Sequence, residues 1–351
     1  MLLFAGILDW NSLGFCETGN VSGPDAYVVD RMAANQYVCK FVPADIEAAL
    51  GRRYIIGPEI AVGGQGAVFR ATRTSQPDGT AANDAVALKL HFDRRRNIRI
   101  QPEITAMENV SHPNLARLIE HGYCDVAGRN TRYVASEFID GQPLSVQLTS
   151  GRLLESEVLA IGRDVSAAIA EIWSRRIVHG DIKPSNIMLR NAGGHMMLGS
   201  VDSAVLIDLG VAKYLDQGNI STLKPLDRRD RRRSAGRPIG TLGYFSPEQL
   251  RGTKALSCAS DVFSLGVVML QCLLGRHPTD DDQTAITDGI RASGGKVAAS
   301  VALLCALDMM LSPLPTFRPN PAELSRRFQS IRQTMQAEFA KGARAPEKAQ
   351  G

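Results

Sequence analysis

Short runs rich in apolar residues characterise the first part of the chain, and such runs predict β-strands. Residues 54–62 are predicted to form one strand, residues 63–66 a glycine-rich turn, and residues 67–69 the start of the next strand. Two further runs, at 86–89 and 133–139, have the same strand character. We therefore expect this part of the chain to form a β-sheet.

Helical periodicity replaces this pattern in the second part. Apolar residues recur every three or four positions in residues 154–173 and 324–339, and the stretch that starts at Asp261 is apolar on nearly all faces. Residues 297–311 are too short to span a bilayer and predict another buried helix.

Composition narrows the functional classes. The 351 residues are 44% hydrophobic and 22% charged, with a formal net charge of +4, which favours a globular protein with no nucleic-acid partner and no membrane span. The six cysteines include no CxxC pair, and the opening MLLFAGILDW lacks the basic region of a signal peptide. We expect a reducing, cytoplasmic location; the sequence gives no indication of oligomeric state.

A polar loop, residues 179–186, carries the candidate chemistry. Short apolar strands are predicted on either side of it and before Asp208, so the ionic residues should lie at strand ends. Phosphoryl transfer needs a carboxylate at the acceptor hydroxyl, a cation at the γ-phosphate, and oxygen ligands for magnesium. Asp181, Lys183, Asn186 and Asp208 provide those four groups.

Four segments together resemble the eukaryotic-like serine/threonine protein kinases: HGDIKPSN in the polar loop, DLG at 208–210, GTLGYFSPE at 240–248 and DVFSLGV at 261–267. The resemblance covers residues 54 to about 330, and the HGD variant suggests a bacterial origin. It implies an α+β, two-lobed kinase fold with a small β-rich N-lobe carrying one regulatory helix, and a larger, mainly helical C-lobe. It further implies ATP with Mg²⁺ or Mn²⁺ as cofactors and protein substrates with serine or threonine acceptors, including autophosphorylation.

The resemblance also assigns roles to individual residues. Asp181 is the expected base, Lys183 the expected γ-phosphate cation, and Thr241 the expected bridge between them, while Asn186 and Asp208 are the expected metal ligands. Ser136 falls at the gatekeeper position. The residues expected to contact the nucleotide are Gly63, Gly64, Gly66, Val68, Ala87, Lys89, Glu103, Glu137 and Ile139. Among these, Lys89 is expected to pair with Glu103, and the backbone groups of Glu137 and Ile139 are expected to bind the adenine edge.

One departure from the family pattern, Gly180 in the HGD sequence, leaves alternatives open. Gly180 replaces the arginine that many kinases use to bind a phosphate on the activation loop, so we expect activity that does not depend strictly on loop phosphorylation. The HGD sequence is also similar to the aminoglycoside and choline phosphotransferases, which makes a small-molecule kinase one alternative. A nucleotide-binding pseudokinase scaffold is the other, although Lys89, Asp181, Asn186 and Asp208 are all present.

The predicted organisation has four parts: an N-terminal extension, 1–50, with strand-like pieces at 27–29 and 36–42; an N-lobe and hinge, 51–139; a C-lobe, 140–330; and a helix end with a polar tail, 331–351. Within the C-lobe, Glu248 is expected to form a buried ion pair with Arg318. Asp261 is expected to cap its helix and to hold the backbone of the polar loop.

Overall fold

The computed structural model describes residues 29–32, 36–39, 41–63, 66–74, 84–91, 108, 110–190, 203–208, 213–214, 242–251, 256–279, 282 and 299–342. Strands dominate its N-terminal part and helices its C-terminal part, which confirms the predicted α+β, two-lobed pattern.

The small lobe is a five-stranded antiparallel sheet in the order β3-β4-β5-β7-β6. Its strands are β3 (Tyr54–Gly63), β4 (Gly66–Arg73), β5 (Ala85–His91), β6 (Leu118–Val126) and β7 (Arg129–Glu137). Side chains alternate between its two faces. Val86, Leu88 and Leu90 of β5 are fully buried on one face, which leaves the residues between them, including Lys89, for the face that lines the cleft. The strands predicted around the glycine turn and at 86–89 are confirmed, and the strand predicted over 133–139 ends at Glu137.

A short helix, α1 (Pro43–Ala49), covers the apolar face of this sheet. Ile46 is fully buried in the small-lobe core together with Phe41 and Leu50, and Glu47 Oε1 accepts a hydrogen bond from the Ile56 N–H at 2.7 Å. The hairpin of β1 (Val29–Met32) and β2 (Gln36–Cys39) precedes it. The prediction of a strand over 36–42 was wrong for Phe41 and Val42, because proline is favoured in the first turn of a helix and α1 starts at Pro43.

The large lobe is built on helices. These are α2 (Leu144–Gln147), α3 (Glu155–Ser174), α4 (Pro247–Arg251), α5 (Cys258–Leu274), α6 (Val301–Met310) and α7 (Pro321–Gly342). All of them except α4 bring apolar side chains into one core. The helices predicted at 154–173, 297–311 and 324–339 are confirmed, and α7 packs along α3 through Leu324 and Phe328, both fully buried. Within the described residues, no helix has the length and apolar character needed to cross a membrane.

The prediction that Asp261 caps α5 was wrong. The helix begins three residues earlier, at Cys258, and the Ser257 side chain accepts the capping hydrogen bond from the Ala259 N–H. Asp261 therefore lies within the first turn of α5, where its carboxylate is directed at the polar loop instead.

Small strand pairs hold the polar loop in place. The loop lies between β9 (Ile177–Val178), which pairs with β12 (Lys213–Tyr214), and β10 (Ile187–Arg190), which pairs with both β8 (Gly141–Pro143) and β11 (Ala204–Leu206). The strands predicted at each end of the loop and before Asp208 are confirmed. The loop and Asp208 consequently lie at adjacent strand ends.

Candidate active site

A cavity of about 400 Å³ lies between the five-stranded sheet and the polar loop. Its walls combine apolar side chains with a few polar groups, the usual composition of a small-ligand site. The lining residues come from the sheet, from the segment 137–141 that connects the lobes, and from the two ends of β10 and β11: Ile60, Ala61, Val68, Ala87, Lys89, His91, Ala116, Leu118, Val134, Ser136, Glu137, Phe138, Ile139, Gly141, Pro143, Ser185, Asn186, Met188, Ile207 and Asp208.

Lys89 and Asp208 form an ion pair in this cavity although 119 residues separate them. The Lys89 Nζ donates to both carboxylate oxygens of Asp208, at 2.7 and 2.6 Å. Asp208 has φ +60°, in the left-handed region that aspartate and asparagine tolerate better than most residues. The pair therefore joins the small lobe to the end of β11.

Asp181 is the centre of a second polar cluster. Its Oδ2 accepts hydrogen bonds from Lys183 Nζ at 2.7 Å and from Asn186 Nδ2 at 3.2 Å, and Asn186 Nδ2 also donates to the Asp181 carbonyl at 2.9 Å. Both hydrogen bonds that Asn186 Nδ2 donates go to Asp181, so Asn186 Oδ1 points away from Asp181. The carboxylate, the ammonium and the amide are thus held as one unit.

Backbone hydrogen bonds fix the start of the polar loop. The N–H groups of His179 and Gly180 donate to Asp261 Oδ2 and Oδ1 at 2.9 and 2.8 Å, which confirms that Asp261 holds this loop. Because Asp261 is fully buried, desolvation raises its pKa, in opposition to these hydrogen bonds. His179 is fully buried; its Nδ1 accepts from the Asp181 N–H at 3.3 Å, so its Nε2 carries the proton donated to the Ile207 carbonyl at 3.1 Å.

The ion pair predicted between Glu248 and Arg318 is confirmed. The Arg318 guanidinium donates to Glu248 Oε1 and Oε2 at 2.6 and 3.0 Å, and its side chain is fully buried. Ser260 Oγ also donates to Glu248 Oε1, at 2.7 Å. This pair connects α4 to the loop before α7.

The segment that connects the lobes supplies two of the residues predicted to contact the nucleotide, Glu137 and Ile139. The Glu137 N–H donates to the Arg117 carbonyl at 2.8 Å, and the Glu137 carboxylate pairs with Arg190 at 3.2 Å. Ile139 is buried beside Ala116. These contacts hold the backbone of both predicted residues at the cavity wall.

The glycine turn is described in part. Gly63 ends β3 and pairs with Gly66 at the start of β4. A Cβ on Gly66 would lie 2.1 Å from the Leu90 carbonyl oxygen, so any side chain there would collide with β5. Gly64, Glu103 and Thr241 lie outside the described residues, as does the predicted pairing of Lys89 with Glu103.

Some cavity residues were not predicted. His91 lies two positions after Lys89 on the same face of β5, and that period of two was the signal that could have found it. Burial, with the nearby charges of Lys89 and Arg132, lowers the pKa of His91 to about 4, so the imidazole is neutral near pH 7. Met188, within β10, and Ile207, directly after β11, line the opposite wall, and the sequence does not reveal the pairing of these two strands that brings them there.

Comparison with known proteins decides the family. Residues 54–330 match the family model described as protein kinase domain, and this match covers most of the chain. The chain belongs to the protein kinase domain family. In this kinase domain, the cavity lies between the lobes, with Lys89 in the small lobe and the polar loop in the large lobe.

The relatives of this kinase domain include bacterial serine/threonine kinases. The probable serine/threonine-protein kinase PknB of Lactococcus lactis is 27% identical over 231 residues, 66% of this chain and 33% of that protein. The serine/threonine-protein kinase PknA of Mycobacterium tuberculosis is 30% identical over 243 residues, 68% of this chain and 50% of that protein. The serine/threonine-protein kinase pkn3 of Myxococcus xanthus is 29% identical over 231 residues, 66% of this chain and 39% of that protein. The chain spans a third to a half of these curated relatives, and the predicted family resemblance is confirmed.

Proposed function

We propose that this chain is an ATP-dependent protein kinase that transfers the γ-phosphoryl group to serine or threonine hydroxyls of proteins. One observation carries the proposal: the Lys89 ammonium binds both carboxylate oxygens of Asp208 inside a cavity whose opposite wall includes Asn186. A cation, a carboxylate and an amide are the groups that a metal–triphosphate ligand requires. The names of the relatives support serine and threonine as acceptors.

Asp181 is the proposed general base. Its Oδ2 is held by Lys183 and Asn186, which fixes the plane of the carboxylate, and we assign Oδ1 to the proton of the acceptor hydroxyl. General-base assistance of this kind contributes roughly 10²- to 10⁴-fold in rate. Lys183, bound at the same carboxylate, is the proposed cation for the phosphoryl group in transfer. Thr241 is proposed to bridge the two.

The cavity fits a nucleotide by size and chemistry. Its volume of about 400 Å³ lies within the usual range of small-ligand sites. Val68, Ala87 and Met188 give it apolar walls for a flat base. Backbone groups of Glu137 and Ile139 are proposed to bind the base edge, with the glycines of the β3–β4 turn and Lys89 at the phosphates, and Glu103 as the second partner of Lys89.

The donor set also fits a divalent cation. Asp208 offers carboxylate oxygens and Asn186 an amide oxygen, and Mg²⁺ binds through one or two such groups plus substrate phosphates. A bound Mg²⁺ or Mn²⁺ would neutralise charge on the phosphates during transfer. Asp208 and Asn186 would hold the ion, while Lys89 holds the Asp208 carboxylate in its orientation.

The test is transfer of label from γ-labelled ATP by the purified full-length chain, with Mg²⁺ or Mn²⁺. The acceptors are the chain itself, a generic protein substrate and a panel of small alcohols. Asp208→Asn removes the carboxylate charge while keeping a residue that tolerates φ +60°, and Asp308→Ala on α6 is the matched control, since Asp308 is exposed and does not line the cavity.

We expect label on serine or threonine of protein, lost in Asp208→Asn and kept in Asp308→Ala. Label only on small alcohols would support a small-molecule kinase and contradict the proposal. Nucleotide binding without any transfer would support a pseudokinase scaffold instead.

A further inference from the structure

The peptide unit between Gly180 and Asp181 is held at both ends by side chains. Gln249 Nε2 donates to the Gly180 carbonyl at 3.0 Å, and the Asp181 N–H donates to His179 Nδ1 at 3.3 Å. Gln249 belongs to α4, 69 residues further along the chain. A residue of α4 therefore sets the orientation of the peptide that leads directly into Asp181.

The local chain cannot set that orientation by itself. Gly180 has φ +76°, and glycine, without a Cβ, populates many backbone conformations that other residues avoid. Rotation of the Gly180–Asp181 peptide would displace the Asp181 carboxylate. A displacement of about 1 Å at reacting groups can cost roughly 100-fold in rate.

Gln249 is itself fixed, so it can act as a rigid support. Its Oε1 accepts from the Ser246 N–H at 2.9 Å and from Ser246 Oγ at 3.1 Å. Because the Ser246 N–H can only donate, the oxygen of the Gln249 amide must face Ser246 and its NH₂ must face Gly180. Ser246 is fully buried and Gln249 is 5% exposed, and the neighbouring Glu248 is held by Arg318.

We propose that Gln249 is a positioning residue for the base Asp181, acting through the Gly180 carbonyl. The inference rests on the proposed kinase function. Through Gln249, the start of α4 supports the polar loop by a neutral hydrogen bond. Gln249 does not line the cavity, so its loss should lower kcat and leave the KM for ATP unchanged.

Gln249→Glu provides a test that separates positioning from general packing. A protonated glutamic acid keeps the pattern of glutamine, since its carbonyl accepts from Ser246 and its O–H donates to Gly180. An ionised carboxylate places a second acceptor against the Gly180 carbonyl and breaks the contact. Burial raises the pKa of a carboxyl group, which brings this ionisation toward the pH range in which kinase activity is measured.

The readout is kcat of the variant divided by kcat of the unmodified chain, measured from pH 6 to pH 8.5. The quotient cancels the titration of groups that both proteins share. The titratable and charged groups around this contact are His179 and Asp181 in the polar loop, Asp261 on α5, and Glu248 with Arg318.

We expect the quotient to be reduced roughly 10- to 100-fold at pH 8.5 and to recover toward pH 6, with the KM for ATP unchanged. For Gln249→Met, whose side chain has no charge and no hydrogen-bond donor, the quotient should be reduced at all pH values. Gln271→Glu is the matched control, because Gln271 accepts from the Tyr244 hydroxyl of the same segment at 2.7 Å and a carboxylate can still accept. Its quotient should stay flat.

The outcomes are distinguishable. An unmodified chain that transfers no phosphate overturns the proposed function, whereas an active chain with a flat Gln249→Glu quotient overturns only this inference. Wild-type kcat in a Gln249→Met variant that melts at the wild-type temperature also overturns it, and so does a pH-dependent quotient in Gln271→Glu.

Discussion

Removal of the Glu248 carboxylate should destabilise the large lobe strongly. The Arg318 guanidinium donates to both Glu248 oxygens, and it also donates to the carbonyls of Ala259 and Ser312 at 3.0 and 2.8 Å. Its side chain has no exposed area, and that of Glu248 is 7% exposed. In Glu248→Ala the charged group would remain in the core without its counter-ion.

The size of the stability loss depends on which charge is left in the core without a partner. Breaking a buried pair by removing one partner costs roughly 3–5 kcal/mol of unfolding free energy, and arginine cannot escape by losing its proton. Replacing both residues, as in Glu248→Ala/Arg318→Met, removes the stranded charge, so the double variant should lose less than the sum of the two single losses.

Urea unfolding at pH 7, followed by far-ultraviolet circular dichroism, measures these losses. Glu171→Ala is the matched control, since the Glu171–Arg175 pair is partly exposed and 3.9 Å long and should contribute less than about 1 kcal/mol. If Glu248→Ala lost no more unfolding free energy than Glu171→Ala, a stabilising role for the buried pair would be excluded.

The pair also predicts the direction of the pH dependence. Burial alone would raise the pKa of Glu248, but hydrogen bonds from Arg318 and Ser260 lower it below its usual 4.5. The unfolded chain therefore binds the proton more readily, and the contribution to stability is present above pH 4.5 and lost as the pH falls through the folded pKa. The stability difference between the unmodified chain and Glu248→Ala should shrink below about pH 4.5.

Four further predictions concern the cleft and the small lobe. Asp181→Asn should lower kcat roughly 10²- to 10⁴-fold while leaving nucleotide affinity, measured by calorimetry, unchanged; an equal loss of affinity would contradict its role as base. Ser136→Met should weaken a bulky ATP-competitive inhibitor, because Ser136 lines the cavity and a larger side chain would fill it, and equal potency on both proteins would rule this out. With glycine at position 180, phosphatase treatment should leave substantial activity in the labelling assay, and complete loss would refute that expectation. Ile46→Ala should cost about 2–5 kcal/mol in urea unfolding, because Ile46 is fully buried, and a loss below 1 kcal/mol would mean that α1 is not part of the core.

Local patterns predicted the elements around the site well. The short apolar strands on each side of the polar loop depend on neighbouring residues, so the sequence alone identified them. The family motifs similarly pointed to the contact between Glu248 and Arg318, and the structure confirms it. The same motifs brought Lys89 and Asp208 into one expected cleft, where the structure joins them directly.

Tertiary packing explains what the sequence did not reveal. Helix α1 has only 7 residues, too few to be stable by itself, and it forms because Ile46 and Leu50 pack on the sheet. The contact from Gln249 to Gly180 depends on how α4 meets the polar loop, which no local pattern encodes. The cap of α5 was misassigned because Ser257 and Asp261 are both good capping residues, and only the backbone shows where the helix begins.

The cover that α1 provides has a practical consequence for work on isolated fragments. The family match begins at Tyr54, but Phe41, Ile46 and Leu50 complete the small-lobe core before that point. A recombinant piece cut at Tyr54 would expose to water the apolar residues of the sheet that Phe41, Ile46 and Leu50 cover, and it would be expected to aggregate during purification. Crystallisation or inhibitor screening should therefore use material that starts no later than Phe41.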